Sequence, residues 1–286
     1  MLSKNLYDET CKNILSKKSV LANIMIQCIP EYQGMSIEEV IPLIEDGEDT
    51  ETIKGINSED TRIEGAKIIY DILFTAMIPH TNDKMYIHIE AQNNSTPGYK
   101  IHRRSTYYDS RIVSRQKGEV FNKSDYDSLC KVYSIWILSS GNREQRGSLN
   151  IYETQERQII GDYHSKDDYR LINDIMLYLG DDYDYYNGNK DVLKMLNLLL
   201  QNTGLEDHEV SNLLEEDYDI MMLESEVANV CTLSQGLIDQ GIINSLCNSS
   251  IKLINKGIAK KDIFEYLDAT AEQQETVKMM LEENGY

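Results

Sequence analysis

The chain has 286 residues, 41% hydrophobic and 27% charged, with a formal net charge of −20. That length holds one good-sized domain with an appendage, or two domains, in an ordinary globular class. Five scattered cysteines without a CxxC pair argue against a disulfide framework or a zinc site, no apolar run approaches the ~20 residues of a membrane helix, and the N-terminus lacks the basic-then-apolar pattern of a signal peptide, so a cytoplasmic protein is expected.

From the N-terminus, Ile14, Leu15, Leu21, Ile24 and Met25 recur at helical spacing, which predicts an amphipathic helix over Tyr7–Gln27 that Pro30 ends. Ser36, followed by Glu38 and Glu39, predicts a capped short helix through Leu43. Residues 45–61 are acidic and polar and read as an exposed loop. Next, Lys67–Thr75 and Lys84–Ala91, rich in β-branched and aromatic residues, flank the breaker cluster Pro79–Asp83, which predicts a β-hairpin. Strand side chains alternate faces, so Tyr70, Ile72 and Phe74 are expected on one face and Ile69, Asp71 and Leu73 on the other. On the return strand Ile87, Ile89 and Ala91 oppose His88, Glu90 and Gln92. If the loop closes symmetrically, Asp71 stands across from Glu90 with Cβ atoms about 4.5–5.5 Å apart. Two carboxylates there repel unless a cation lies between them, and a divalent ion such as Mg²⁺ suits such hard oxygens. Two acids that simply point into solvent from a sheet edge fit the same spacing, so spacing alone leaves both readings open.

Asn93–Gly98 reads as a turn and Tyr99–Gln116 as a helix. On it Arg103, Tyr107, Arg111 and Arg115 recur every fourth residue and form one stripe, with Arg104 and Tyr108 beside it. Between Gly98 and Gly118 six lysines and arginines stand against Asp109 alone, the only dense basic patch in an acidic chain. Nucleic-acid affinity is driven by neutralising phosphates, so any such contact must be local to this helix. Guanidinium forks suit phosphate oxygens and tyrosines stack on sugars or bases. A solvated or carboxylate-paired helix face is the competing reading.

Leu129–Leu138 reads as a buried strand with Trp136 in the core, and Leu149–Glu153 as another. Asp167–Gly180 fits strand or helix, and Asp181–Gly188 is an acidic loop without the ligand spacing of an EF-hand. From Asp191 onward the chain reads as helical: Asp191–Gln201, Glu206–Glu215, Met221–Asn255, Lys261–Leu267 and Thr270–Leu281. The tail is too acidic for a DNA-recognition helix and is expected to serve homodimerisation or regulation.

The blocks Ile63-Glu64-Gly65, Tyr70-Asp71-Ile72, Ile89-Glu90-Ala91-Gln92, Pro97-Gly98-Tyr99, Arg103-Arg104, Tyr107-Tyr108-x-Ser110-Arg111, Gln116-Lys117-Gly118 and Lys131–Ile137 follow in order. With Lys12-x-Ile14-Leu15-Ser16-x-Lys18 ahead of them, the chain over roughly residues 8 to 200 resembles the PD-(D/E)XK nuclease family transposases, the Rpn-like recombination-promoting nucleases. The resemblance implies a restriction-endonuclease-like αβββαβ core over residues 1–203 and an all-α extension over 204–286. It implies a metal-dependent DNA endonuclease that hydrolyses phosphodiester bonds with Mg²⁺, or Mn²⁺. Asp71, Glu90 and the carbonyl of Ala91 would bind the ion, with Glu64 as the upstream acid and Glu59 as the fallback. The last motif position is usually Lys; here, as in the Rpn-like branch, it is Gln92, whose amide orients water but cannot offset developing negative charge. Arg103 or Arg104 would then supply that charge, and Arg103, Arg104, Tyr107, Arg111 and Arg115 would face DNA. His88 shares the Glu90 face and reads as base, ligand or buried sheet histidine; His80, His102, His164 and His208 form no metal spacing. Phosphate-loop, GxSxG and dinucleotide motifs do not occur, which argues against an NTPase, a serine hydrolase or an oxidoreductase. The alternative is a catalytically inactive module of the same fold that binds nucleic acid or protein, which the overall acidity and the missing lysine keep open.

Overall fold

A computed structural model describes residues 2–45, 51–56, 59–60, 68–92, 97–139, 142–166, 169–180, 188–283 and 286. Glu64 and most of the acidic 181–188 loop lie outside the described residues. The predicted first helix is two, α1 (Leu2–Leu15) and α2 (Lys18–Cys28). The break comes at Lys17, which is extended (φ −68°, ψ 129°), just after the Ser16 hydroxyl folds back on the Lys12 carbonyl at 2.6 Å. α3 (Ile37–Val40) opens on a capping box, with the Ser36 amide donating to Glu39 at 2.9 Å, and tightens into a 3₁₀ turn over Ile41–Leu43.

A two-residue pair, β1 (Glu59–Asp60) with β2 (Ile68–Ile69), precedes the hairpin of β3 (Ile72–Met77) and β4 (Lys84–Gln92). The hairpin turn uses His80 at φ 62°. One expectation is overturned at its start. Tyr70 packs with Ile68 and Leu73, not with Ile72 and Phe74, because the chain bends at Asp71 and the two-residue alternation restarts there.

Then come α4 (Ile101–Arg115), β5 (Lys131–Leu138), β6 (Ser148–Glu153) and β7 (Ile172–Tyr178). The ambiguous segment before Gly180 is therefore a strand. The sheet runs β3-β4-β5-β7-β6, with β3/β4 and β6/β7 antiparallel and β4/β5 and β5/β7 parallel. Parallel neighbours need a crossover, and α4 supplies the one between β4 and β5. Gln116 fastens its far end: its amide accepts from the Cys130 N–H at 2.8 Å and donates to the Cys130 carbonyl at 3.1 Å.

Alternation along the strands divides the protein into layers. Ile72, Phe74, Ile87, Ile89, Ile135, Ile137, Ile175 and Leu177 face a large core that also takes in α1, α2 and the helices after the sheet. Those are α5 (Val192–Leu200), α6 (Asp207–Tyr218) and the long α7 (Glu224–Asn255). The core includes Leu196 and Leu199 on one side of residue 203 and Val210, Leu214, Tyr218, Val227 and Val230 on the other. Cys247 of α7 belongs to a separate cluster with Phe264 of α8 (Lys260–Tyr266) and Val277 and Leu281 of α9 (Ala271–Glu283). The opposite face of the sheet carries α4, over Leu73, Tyr86, Val132, Trp136 and Met176. Among the described residues no helix is long and apolar enough to cross a membrane.

Candidate active site

The hairpin register pairs Ile72 with Ile89, so continuing it one step puts Asp71 opposite Glu90. The two acids are interlaced across the strands. The Asp71 amide donates to Glu90 Oε2 at 3.4 Å, and the Ala91 amide donates to Asp71 Oδ2 at 3.3 Å. Glu90 is almost enclosed, with 5% of its side chain exposed. Burial and the neighbouring Glu90 charge push the Asp71 carboxyl above its ordinary value, against the opposing pull of Lys12 and the Ala91 amide.

Two basic side chains close on this pair from opposite layers. Lys12, in the last turn of α1, places Nζ 2.8 Å from Asp71 Oδ1. Burial pulls its ammonium down, but the hydrogen bond and charge of Asp71, backed by Glu90 and Asp8, outweigh that and raise it. Arg104, in the first turns of α4, donates to Glu90 Oε1 at 2.5 Å, Gln92 Oε1 at 3.0 Å, and the hydroxyls of Tyr99 and Tyr108 at 3.1 and 2.8 Å. Its guanidinium also lies over the Tyr108 and Trp136 rings, at 4.8 and 5.3 Å, a geometry that favours a cation.

Behind Glu90 runs a polar row of which the sequence singled out only His88, a fully buried sheet histidine on the Glu90 face. His88, Ser134 and Asp174 are register partners across β4, β5 and β7, and all face α4. His88 Nε2 lies 3.3 Å from Glu90 Oε2, and its Nδ1 lies 3.1 Å from Ser134 Oγ. From the helix above, Asp109 bonds Ser134 and Ser105 bonds Asp174. Burial and the nearby Asp174 charge push the Asp109 carboxyl up to about 9, which favours its protonated form. The available signal was local: Asp109 is the lone acid in the basic helix, four residues after Ser105, and Ser134 interrupts an apolar strand.

The remaining predicted residues divide. Arg103 and Tyr107 are exposed on α4, Tyr107 by 45%. Arg111 is 4% exposed and forks onto the buried Asp60, with Nε and Nη2 at 3.0 and 2.8 Å from its two oxygens. Arg115 is buried and lies 3.4 Å from Glu119. The basic stripe is thus half inward-turned and carboxylate-paired. Glu59 is exposed on β1, and its neighbour Asp60 is the acid that α4 uses.

For a divalent cation the hard oxygens on offer are the carboxylates of Asp71 and Glu90 and the carbonyl of Ala91. The Gln92 carbonyl accepts from Ser139 across the parallel ladder at 3.2 Å, and successive strand residues turn their main-chain groups to opposite neighbours. The Ala91 carbonyl therefore points to the Asp71 side, where its amide is already bonded. Among the described residues no group of three or more His, Cys, Asp and Glu converges for a metal. Comparison with protein-family models, with curated proteins and with solved structures found no match.

Proposed function

We propose that this protein is a metal-dependent DNA endonuclease of the transposase or recombination-promoting type, with a restriction-endonuclease-like core. The reading rests on one observation: Asp71 and Glu90, distant in sequence, reach each other's strand with a guanidinium from α4 on Glu90. Helix–hairpin–helix–strand order, with β4 and β5 parallel, supports the fold assignment. Asp71, Glu90 and the Ala91 carbonyl would hold Mg²⁺ or Mn²⁺, which would lower the pKa of a bound water and offset phosphate charge. The chain's own residues do the rest. Glu90 fixes its donor oxygens on β4, and Asp71 on the bend that leads into β3. Arg104 orients Glu90 and Gln92 together, and so settles which way the Gln92 amide faces. Arg103 and Tyr107, exposed on the same helix, are placed to meet the sugar–phosphate backbone. The reaction adds water across a P–O bond: the water oxygen joins phosphorus, the bond to the departing sugar oxygen breaks, and that oxygen takes a proton.

The test is nicking of supercoiled plasmid with Mg²⁺ or Mn²⁺ by wild type, Asp71→Ala and Glu90→Ala. Nicking by the wild type alone supports the proposal; equal nicking by all three is contamination and removes it. A second reading, an inactive module that binds nucleic acid or protein, is favoured by the neutralisation of both carboxylates by Lys12 and Arg104. Binding of DNA to the wild type without any cleavage would select it.

A further inference from the structure

Asp71 and Glu90 carry two negative charges, and Lys12 and Arg104 bring two positive ones, so the pair is already balanced by the protein. A divalent ion entering between the carboxylates would leave an excess of two positive charges in a partly desolvated site, which low dielectric penalises. One of the resident cations must then retreat. Arg104 is pinned by Glu90, Gln92, Tyr99 and Tyr108 and lies over two rings. Lys12 meets the pair through one contact, to Asp71, and 39% of its side chain is exposed. Its main chain is rooted, because Cys11, Ile14 and Leu15 around it are buried in the large core. A flexible four-carbon stem on a fixed backbone lets the ammonium swing without leaving the site.

Resting on the nuclease reading above, we infer that Lys12 is the counter-ion a divalent metal displaces from Asp71, and that its freed ammonium then engages the phosphate of the bound strand. It does so from α1, a different element from β4, where Gln92 presents an amide instead of a cation. The Gln92 amide oxygen is held by Arg104, so that position offers no positive charge of its own.

The experiment compares wild type, Lys12→Met and Lys12→Arg by two readouts. The first is Mn²⁺ titration followed by thermal shift. Loss of a competing cation should lower the Mn²⁺ midpoint of Lys12→Met by about three- to tenfold. The second is plasmid nicking at saturating Mn²⁺, where Lys12→Met should lose about 100-fold, the scale of removing one charge-stabilising group, while Lys12→Arg keeps part of the activity. Lys12→Met that nicks within threefold of wild type overturns the inference, as does an unchanged or raised Mn²⁺ midpoint. If wild type shows neither a Mn²⁺ shift nor metal-dependent nicking, the nuclease reading itself fails and takes this inference with it. A cooperative metal-free melt of Lys12→Met, like that of wild type, separates these outcomes from misfolding.

Discussion

Glu90 is an enclosed carboxylate whose tolerance depends on Arg104, because a buried charge left without its partner costs several kcal/mol, whereas replacing both partners costs far less. Arg104→Ala should therefore destabilise the fold by about 3 kcal/mol, reduced somewhat by the partial exposure of the guanidinium. Glu90→Gln should relieve most of that loss in the double variant, since the neutral amide no longer needs a cation. Urea unfolding of the two single variants and the double variant forms the cycle. Strict additivity would mean that Arg104 acts through its aromatic contacts rather than through Glu90. Arg104→Lys should recover only part, because an ammonium cannot bridge Glu90 and Gln92 with a planar fork.

The helix α4 is seated by polar contacts as much as by apolar ones: Gln116 on Cys130, Arg111 on Asp60, and Ser105 and Asp109 on the row His88–Ser134–Asp174. Asp109 sits in the fold with a proton that it lacks when unfolded above its ordinary pKa of 3.8, its folded value being about 9. Between those values the folded state binds more protons, so this group makes stability fall as pH rises from about 4 to about 9 and level off above. Asp109→Asn carries the hydrogen-bonding capacity without the ionisation. It should flatten that slope and raise the melting temperature at pH 8 relative to pH 5, measured by calorimetry across the range; an unchanged slope would place the stored proton elsewhere. At this scale the sequence was legible wherever interactions were periodic and near. The breaker cluster set a hairpin register that, carried one step on, puts Asp71 opposite Glu90, and Ser36 with Glu39 marked a helix start. It was not legible where partners were distant. Nothing about Arg111 reveals that Asp60 waits for it, so a stripe that reads as a DNA-facing surface turns half inward. Lys12 likewise declares its role only when α1 is packed against the hairpin.

At the scale of the whole molecule, a division of the chain at residue 203 meets a core that continues past it. Lys194 of α5 is fully buried, and its ammonium is held by Asp217 of α6 at 2.9 Å. Asn23 of α2 donates to the Tyr218 carbonyl at 2.9 Å, and Lys17 pairs with Glu226 of α7 at 2.9 Å. A chain ending at 203 would remove Asp217, the carboxylate that holds the Lys194 ammonium. It would also uncover the surface now covered by Val210, Leu214, Tyr218, Val227 and Val230, at about 1.5–3 kcal/mol for each large apolar side chain removed from its contacts. That loss is comparable with the whole stability of about 5–15 kcal/mol that a domain possesses. A chain ending at Asn255 loses α8 and α9 but keeps every one of those contacts, sacrificing only the separate Cys247–Phe264–Val277–Leu281 cluster. Residues 1–203 should therefore be recovered unfolded or aggregated, and residues 1–255 folded, with a cooperative melt and the Mn²⁺ response of the full chain. A cooperative melt from 1–203 would show that the sheet and its first helices form an independent unit, and that α6 and α7 are an added layer rather than part of the core.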